Sequence, residues 1–222
     1  LDCEKIKEMR SKKTSIEVKD IDINLYDLKF IADAIRNSDD KDRVLESLWE
    51  GQLKSKNWLV GQLCHKFHIS NAETVIFGGW CGILSLLLFN SDFGIKKITS
   101  VDIDPKCEEI ATTINKRYEM QGKFKAVTAD MCRYEYESDP YLVINTSCEH
   151  ITQAQYTQWL YKVPKDSLVC IQSNNYFELP EHVNCMKDLG EFKRKSNLKI
   201  EFEATLELPK YNRFMLIGRK DV

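Results

Sequence analysis

Two hydrophobic rhythms divide the chain. Over residues 21–70 apolar side chains recur at helical spacing: Leu28, Ile31 and Ile35, then Val44, Leu45, Leu48 and Trp49. Ser38, Asp39 and Asp40 stand between the two sets, where they break and cap. A further helix is expected from Ser55 through Trp58, Leu59, Leu63 and Phe67. From Glu73 the rhythm changes. "TVIFGG", "KKITSVDID", "KFKAVTAD", "YLVINTS" and "SLVCIQSN" read as strands. "GILSLLLFN", "PKCEEIATTINKRYEMQ" and "TQAQYTQWLYKV" read as helices between them, while the link from "VTAD" to "YLVIN" is too weakly patterned to carry one. Continuous apolar strands alternating with helices predict an α/β fold, a parallel sheet covered on both faces. "NLKIEFEATLELP" and "YNRFMLIGRK", joined at Pro209 and Lys210, predict a C-terminal hairpin at the sheet edge. The division expected is an N-terminal helical extension or cap over residues 1–70 and an α/β domain over 71–222. Residues 1 to about 20 are polar and expected to be loosely held.

Composition narrows the function classes. The chain has 222 residues, 43% hydrophobic and 30% charged, enough for one large domain with a real core. A formal net charge of -2 removes any bulk electrostatic reason for nonspecific nucleic-acid binding. The one basic stretch, "EFKRKSNLK", reads as a solvated helix end. Eight cysteines are scattered without a CxxC, and none is spaced with the four histidines as zinc ligands are, so reduced thiols and no metal centre are expected. No apolar stretch approaches a membrane span, and the first residues lack a signal-peptide core, so a soluble cytoplasmic protein is expected.

The stretch "FGGWCGILSLLLFN" carries the first chemical signal. Gly78, Gly79 and Gly82 follow a strand and open a helix, where backbone comes close to a ligand or a helix packs on a strand. The next strand ends in Asp102, about 20 residues beyond the glycine turn, the position from which a carboxylate accepts hydrogen bonds from ribose hydroxyls. Asp104 and Pro105 have a structural duty as cap and first residue of the following helix. The third strand leads into Asp130, placed to accept from an adenine amino group. Strand ends carrying Gly, Asp and Asp in succession suit an adenosine ligand.

On these residues the sequence resembles the class I S-adenosylmethionine-dependent methyltransferases over about residues 72–220. "VIFGGWCG" stands in the place of their first loop, "VDID" in that of the second-strand acid and "TADM" in that of the third-strand acid. The resemblance implies a Rossmann-like seven-stranded sheet with one antiparallel strand, with S-adenosylmethionine as cofactor. It places Gly78, Gly79 and Gly82 along the methionine and ribose, Asp102 with Ile103 at the ribose, and Asp130 with Met131 at the adenine. Asn145, where the family more often has an acid, falls between cofactor and acceptor. Two positions depart from the family pattern: Phe77 replaces an acid, and Trp80 a small residue. Trp80 either walls the cofactor or packs under the first helix.

The fourth strand ends in "INTSCEHI", six consecutive polar or ionisable side chains from Asn145 to His150, more than turn chemistry needs. Glu149 and His150 are the candidate general bases and Asn145 a third candidate catalytic residue. "NTSC" lacks the signature of the amino-methylating DNA enzymes, and Cys148 lacks the Pro-Cys context of a nucleophile, so a buried thiol is the plainer reading. After the fifth strand, "QSNNYFELPEHVNC" supplies Asn174, Asn175, Tyr176 and His182 for an acceptor. Lys56 and Trp58, further candidates for acceptor binding, lie on the helix that in many relatives closes over the cofactor. The function expected is methyl transfer to a small-molecule or peptide/protein acceptor. An RNA acceptor lacks support from charge. The alternatives are aminocarboxypropyl transfer or donor cleavage on the same cofactor, and a non-catalytic S-adenosylmethionine-binding protein. The hairpin and the missing GxGxxG argue against a nicotinamide dehydrogenase.

Overall fold

The computed structural model describes residues 23–221; the polar N-terminal stretch and Cys3 lie outside them. Three helices come first: α1 (Leu25–Asn37), α2 (Lys41–Ser47) and α3 (Glu50–Lys66). Asn24 caps α1 and Asp40 caps α2 through side-chain acceptors. The second helix is shorter than its apolar spacing suggested. It stops at Ser47, and of the four apolar residues read there only Val44 is fully buried, while Trp49 is 71% exposed.

Seven strands form one sheet in the order β3-β2-β1-β4-β5-β7-β6. They are β1 (Ala72–Phe77), β2 (Ile95–Asp102), β3 (Phe124–Thr128), β4 (Leu142–Asn145), β5 (Leu168–Asn174), β6 (Leu198–Glu207) and β7 (Asn212–Lys220). The first five pair in parallel; β7 pairs antiparallel with both β5 and β6. The sheet and the edge hairpin are those the apolar pattern predicts, and the reversed strand is the one the resemblance implies.

Helices cover both faces. Ile76, Ile98, Ile144 and Cys170 share one apolar cluster with Val44 of α2, Leu59 of α3 and the leucines of α4 (Ile83–Phe89). Val75, Phe77, Val143 and Ile171 point the other way, onto Trp159 of α7 (Gln153–Lys162) and Phe192 of α8 (Leu189–Ser196). This alternation is the period-2 pattern of a sheet buried on both sides. The helix expected after β2 is split into α5 (Pro105–Ile114) and α6 (Lys116–Glu119). Asn115, fully buried, breaks it: its amide donates to the Gly82 carbonyl at 3.0 Å and so ties the helix to the glycine turn. The basic stretch is the end of α8, where Lys193 pairs with Glu203 and Lys195 with Glu191. Among the described residues, Cys81, Cys107, Cys132, Cys148, Cys170 and Cys185 are free thiols. No described helix is long and apolar enough to cross a membrane.

Candidate active site at the carboxyl edge of the sheet

The parallel strands deliver their C-terminal loops to one edge, the crevice in which open α/β sheets bind ligands. A cleft of about 600 Å³ lies there, within the usual range of small-molecule sites. One half is lined by Gly78, Asp102, Ile103, Asp130 and Met131; the other by Lys56, Glu149, His150, His182 and Arg213.

The glycine turn is held by acids and by close packing. Gly78 has a φ of 62°, and a side chain there would collide with Ser147 of the β4 loop. Gly82 has a φ of 75°, and a β-carbon would press on Asn115 and Ala111 of α5. Gly79 makes room for Ser100 of β2. So Gly78 faces the cleft, whereas Gly79 and Gly82, read as cofactor residues, lie outside its lining and serve packing. Trp80 also adopts a left-handed conformation, φ 47°, and its backbone N–H donates to Asp102 Oδ2 at 2.9 Å. Asp102 therefore has the structural task its sequence position did not suggest, since its Oδ1 also accepts from Asp104 N–H at 3.1 Å. A carboxylate has about four lone-pair sites, so two remain for a ligand. Asp104 caps α5 as expected. Asp130 lies two residues past β3, its Oδ1 taken by Cys132 N–H at 2.8 Å.

Phe77 points away from the cleft into a nest of aromatic rings, edge-on to Tyr134, Tyr136 and Trp159. Phe77 is thus a core residue. Trp80 lines the cleft, and Lys56 Nζ stands 5.7 Å from its ring centroid. Trp58 is buried at 5% exposure in the helix-covered cluster and does not line the cleft.

Glu149 is the centre of the second half. It sits on a 3₁₀ turn (Cys148–His150) directly after β4 and is 3% exposed. Its Oε1 accepts from Asn174 Nδ2 at 2.8 Å and from the Arg213 guanidinium, while Oε2 has no hydrogen-bond partner. Arg213 also donates to the Thr146 carbonyl and, through Nε, to Gln172 at 3.3 Å. Asn174 and Asn145 are buried behind the cleft; Asn145 accepts from Ser147 N–H and contacts Met131 Sδ at 3.5 Å. Asn175 exchanges backbone-type bonds with Asn212, and Tyr176 stacks on Tyr211 at 5.3 Å. Neither lines the cleft; both fix the loop that carries His182. His150 and His182 meet edge-to-face, ring centroids 4.8 Å apart. Cys148 is buried, and burial pushes its thiol well above the ordinary range, which suits a packing role.

Arg213 is the cleft residue that the strand pattern concealed. It lies opposite Asn174 in the antiparallel pair of β7 with β5, so the reversed strand brings its first residues to the carboxyl edge. An arginine inside the apolar run "YNRFMLIG" was the available signal.

Lys56 is buried at 9% exposure, with Gln52 Oε1 at 2.6 Å as its hydrogen-bond partner. Burial, helped by the like charge of Arg213, pulls its pKa down to about 7. The folded value lies below the unfolded one, so the native state binds fewer protons between about pH 7 and pH 10.5. Stability from this group then rises with pH across that window and is flat below it. Lys56→Met is expected to be more stable than wild type at about pH 6, by an amount on the order of a few kcal/mol, with the advantage fading toward about pH 10. Urea unfolding at both pH values checks this; a pH-independent difference would contradict the burial of a charge.

No protein-family profile matches the sequence, and no curated protein matches it. Solved structures do. Magnesium protoporphyrin IX methyltransferase from Synechocystis PCC 6803 with bound SAH aligns with TM-score 0.60 and 13% identity, over 89% of this chain and 95% of that one. The N-methyltransferase NodS from Bradyrhizobium japonicum WM9 aligns with TM-score 0.58 and 10% identity, over 76% and 96%. TrmK from M. capricolum, solved with S-adenosyl-homocysteine, aligns with TM-score 0.54 and 13% identity, over 74% and 68%. At such identities the likeness is one of fold: the chain has the Rossmann-like fold of the class I S-adenosylmethionine-dependent methyltransferases.

Proposed function

We propose that the protein is an S-adenosylmethionine-dependent methyltransferase acting on a small-molecule or peptide/protein acceptor. The observation that carries this reading is the two-part cleft, in which an adenosine-suited half adjoins a buried, charged half on the same edge. The first half fits the cofactor. Gly78 leaves bare backbone, Asp102 keeps lone pairs for two hydroxyls, and Ile103 offers an apolar face, 71% exposed, on which a base can lie. Asp130 and Met131 stand beside it. The cofactor, when bound, supplies an activated methyl group. What the chain contributes is orientation, exclusion of water and proton handling.

The second half has the groups for that work. Lys56, with a pKa brought near 7, suits general acid–base duty at neutral pH. Glu149, tied by Asn174 and Arg213 through one oxygen, is fixed in place rather than free to swing as a base. Its unpartnered Oε2 remains for the acceptor or another ligand. His150 and His182 close the far end.

Calorimetric titration with S-adenosylmethionine and S-adenosylhomocysteine tests the reading. Saturable binding of both, at about one equivalent, is expected. No heat from either at millimolar concentration would remove it. Recovery of methylthioadenosine in place of S-adenosylhomocysteine after turnover would transfer the assignment to aminocarboxypropyl chemistry or donor cleavage.

A further inference from the structure

We propose that Glu149, His150 and His182 form a site for one divalent transition-metal cation at the acceptor end of the cleft. This rests on geometry alone and stands apart from any methyl transfer. The three side chains come from two loops, the turn after β4 and the segment after β5, and those strands are parallel neighbours. One ligand atom from each lies within 4.8 Å of the others. All three line the cleft.

Each residue that is held is held as a ligand would be. His182 Nδ1 lies 2.7 Å from the Tyr176 carbonyl, so that nitrogen carries the proton and Nε2 keeps its lone pair. Glu149 is fixed from behind by Asn174 and Arg213 on Oε1. Its other oxygen is buried without a hydrogen-bond partner, a costly condition for a carboxylate oxygen unless a donor or a cation reaches it directly. Metal–ligand bonds of about 2.0–2.2 Å at a tetrahedral angle put ligand atoms about 3.4 Å apart, so the widest pair must close by up to roughly 1.5 Å. His150 is exposed on its turn and meets His182 edge-to-face, so rotation of its side chain about that contact supplies the movement. Two imidazoles and one carboxylate suit zinc, cobalt, manganese or iron(II) and leave positions open to the cleft; magnesium prefers an all-oxygen shell. Sequence spacing could not show the group, because His150 and His182 are far apart in the chain.

The test is a Co²⁺ titration of the purified, metal-stripped full chain, followed by visible absorption. Binding of one equivalent is expected, weakened at least about tenfold in both His150→Gln and His182→Gln. Should either variant fold poorly, Mn²⁺ added to wild type decides by proton NMR. The imidazole signals of His150 and His182 should broaden before those of His65 and His68. Wild-type binding weaker than about millimolar, unchanged affinity in both folded variants, or equal broadening of all four histidines would each overturn the proposal.

Discussion

Asp102→Ala is expected to lower affinity for S-adenosylmethionine at least about a hundredfold while the protein stays folded. A charge-assisted bond to a carboxylate is worth roughly 1.5–3 kcal/mol, and two ribose hydroxyls would be left without their acceptor. The same carboxylate braces the glycine turn through Trp80 N–H and the start of α5 through Asp104 N–H. Its loss therefore also loosens the loop that faces the cofactor, and Trp80 holds a left-handed backbone that needs such support. Asp102→Asn separates the two effects in part: the amide oxygen keeps the bond from Trp80 N–H while the one from Asp104 N–H is lost, and affinity should fall only about tenfold. Calorimetry on both variants, with circular dichroism as the fold control, checks the order. Wild-type affinity in a folded Asp102→Ala protein would refute the ribose assignment.

The same residue shows what sequence could and could not say. The sheet was legible because a strand buried on both faces leaves an unbroken apolar run, as in "SLVCIQSN", and because the hairpin's two strands differ from these in length and alternation. Asp102 and Asp130 were legible as strand-end acids. That Asp102 also organises the turn was not, because a backbone N–H as partner leaves no trace in residue types. The helix break at Asn115 was hidden for a related reason: "TTINKRYE" keeps helical composition, and only the tertiary bond to Gly82 fixes the kink. That Trp58 packs in the core was not legible, because residue type and position do not reveal which side of an element a side chain takes; nor could residue type show that a β-carbon at Gly79 would meet Ser100, or one at Gly82 Asn115 and Ala111. The polar strand ends after β4 and β5 were read as one acceptor region, yet they divide into a lining (Glu149, His150, His182) and a supporting layer (Asn145, Asn174, Asn175, Tyr176). Spacing alone carries no such distinction.

Arg213→Ala is expected to destabilise the fold by about 3–5 kcal/mol, the cost of breaking a buried ion pair from one side. Arg213 is one cation bonded to the buried Glu149 carboxylate, with Asn174 as a neutral co-donor. Removing it leaves a charge in a site of low polarity and also deprives the Thr146 carbonyl and Gln172 of their donor. The large effect is therefore not the worth of the pair, which is small once desolvation of both partners is counted, but the penalty on the group left behind. This distinction has a measurable consequence. Glu149→Gln in the Arg213→Ala background removes the stranded charge and should recover at least about 1 kcal/mol of the loss, giving a strongly non-additive double-mutant cycle. Urea unfolding of wild type, both single variants and the double variant supplies the four free energies. Additive losses, or an Arg213→Ala protein within about 1 kcal/mol of wild type, would mean that Glu149 is solvated or neutral in the folded chain, and the buried charged half of the cleft would have to be abandoned.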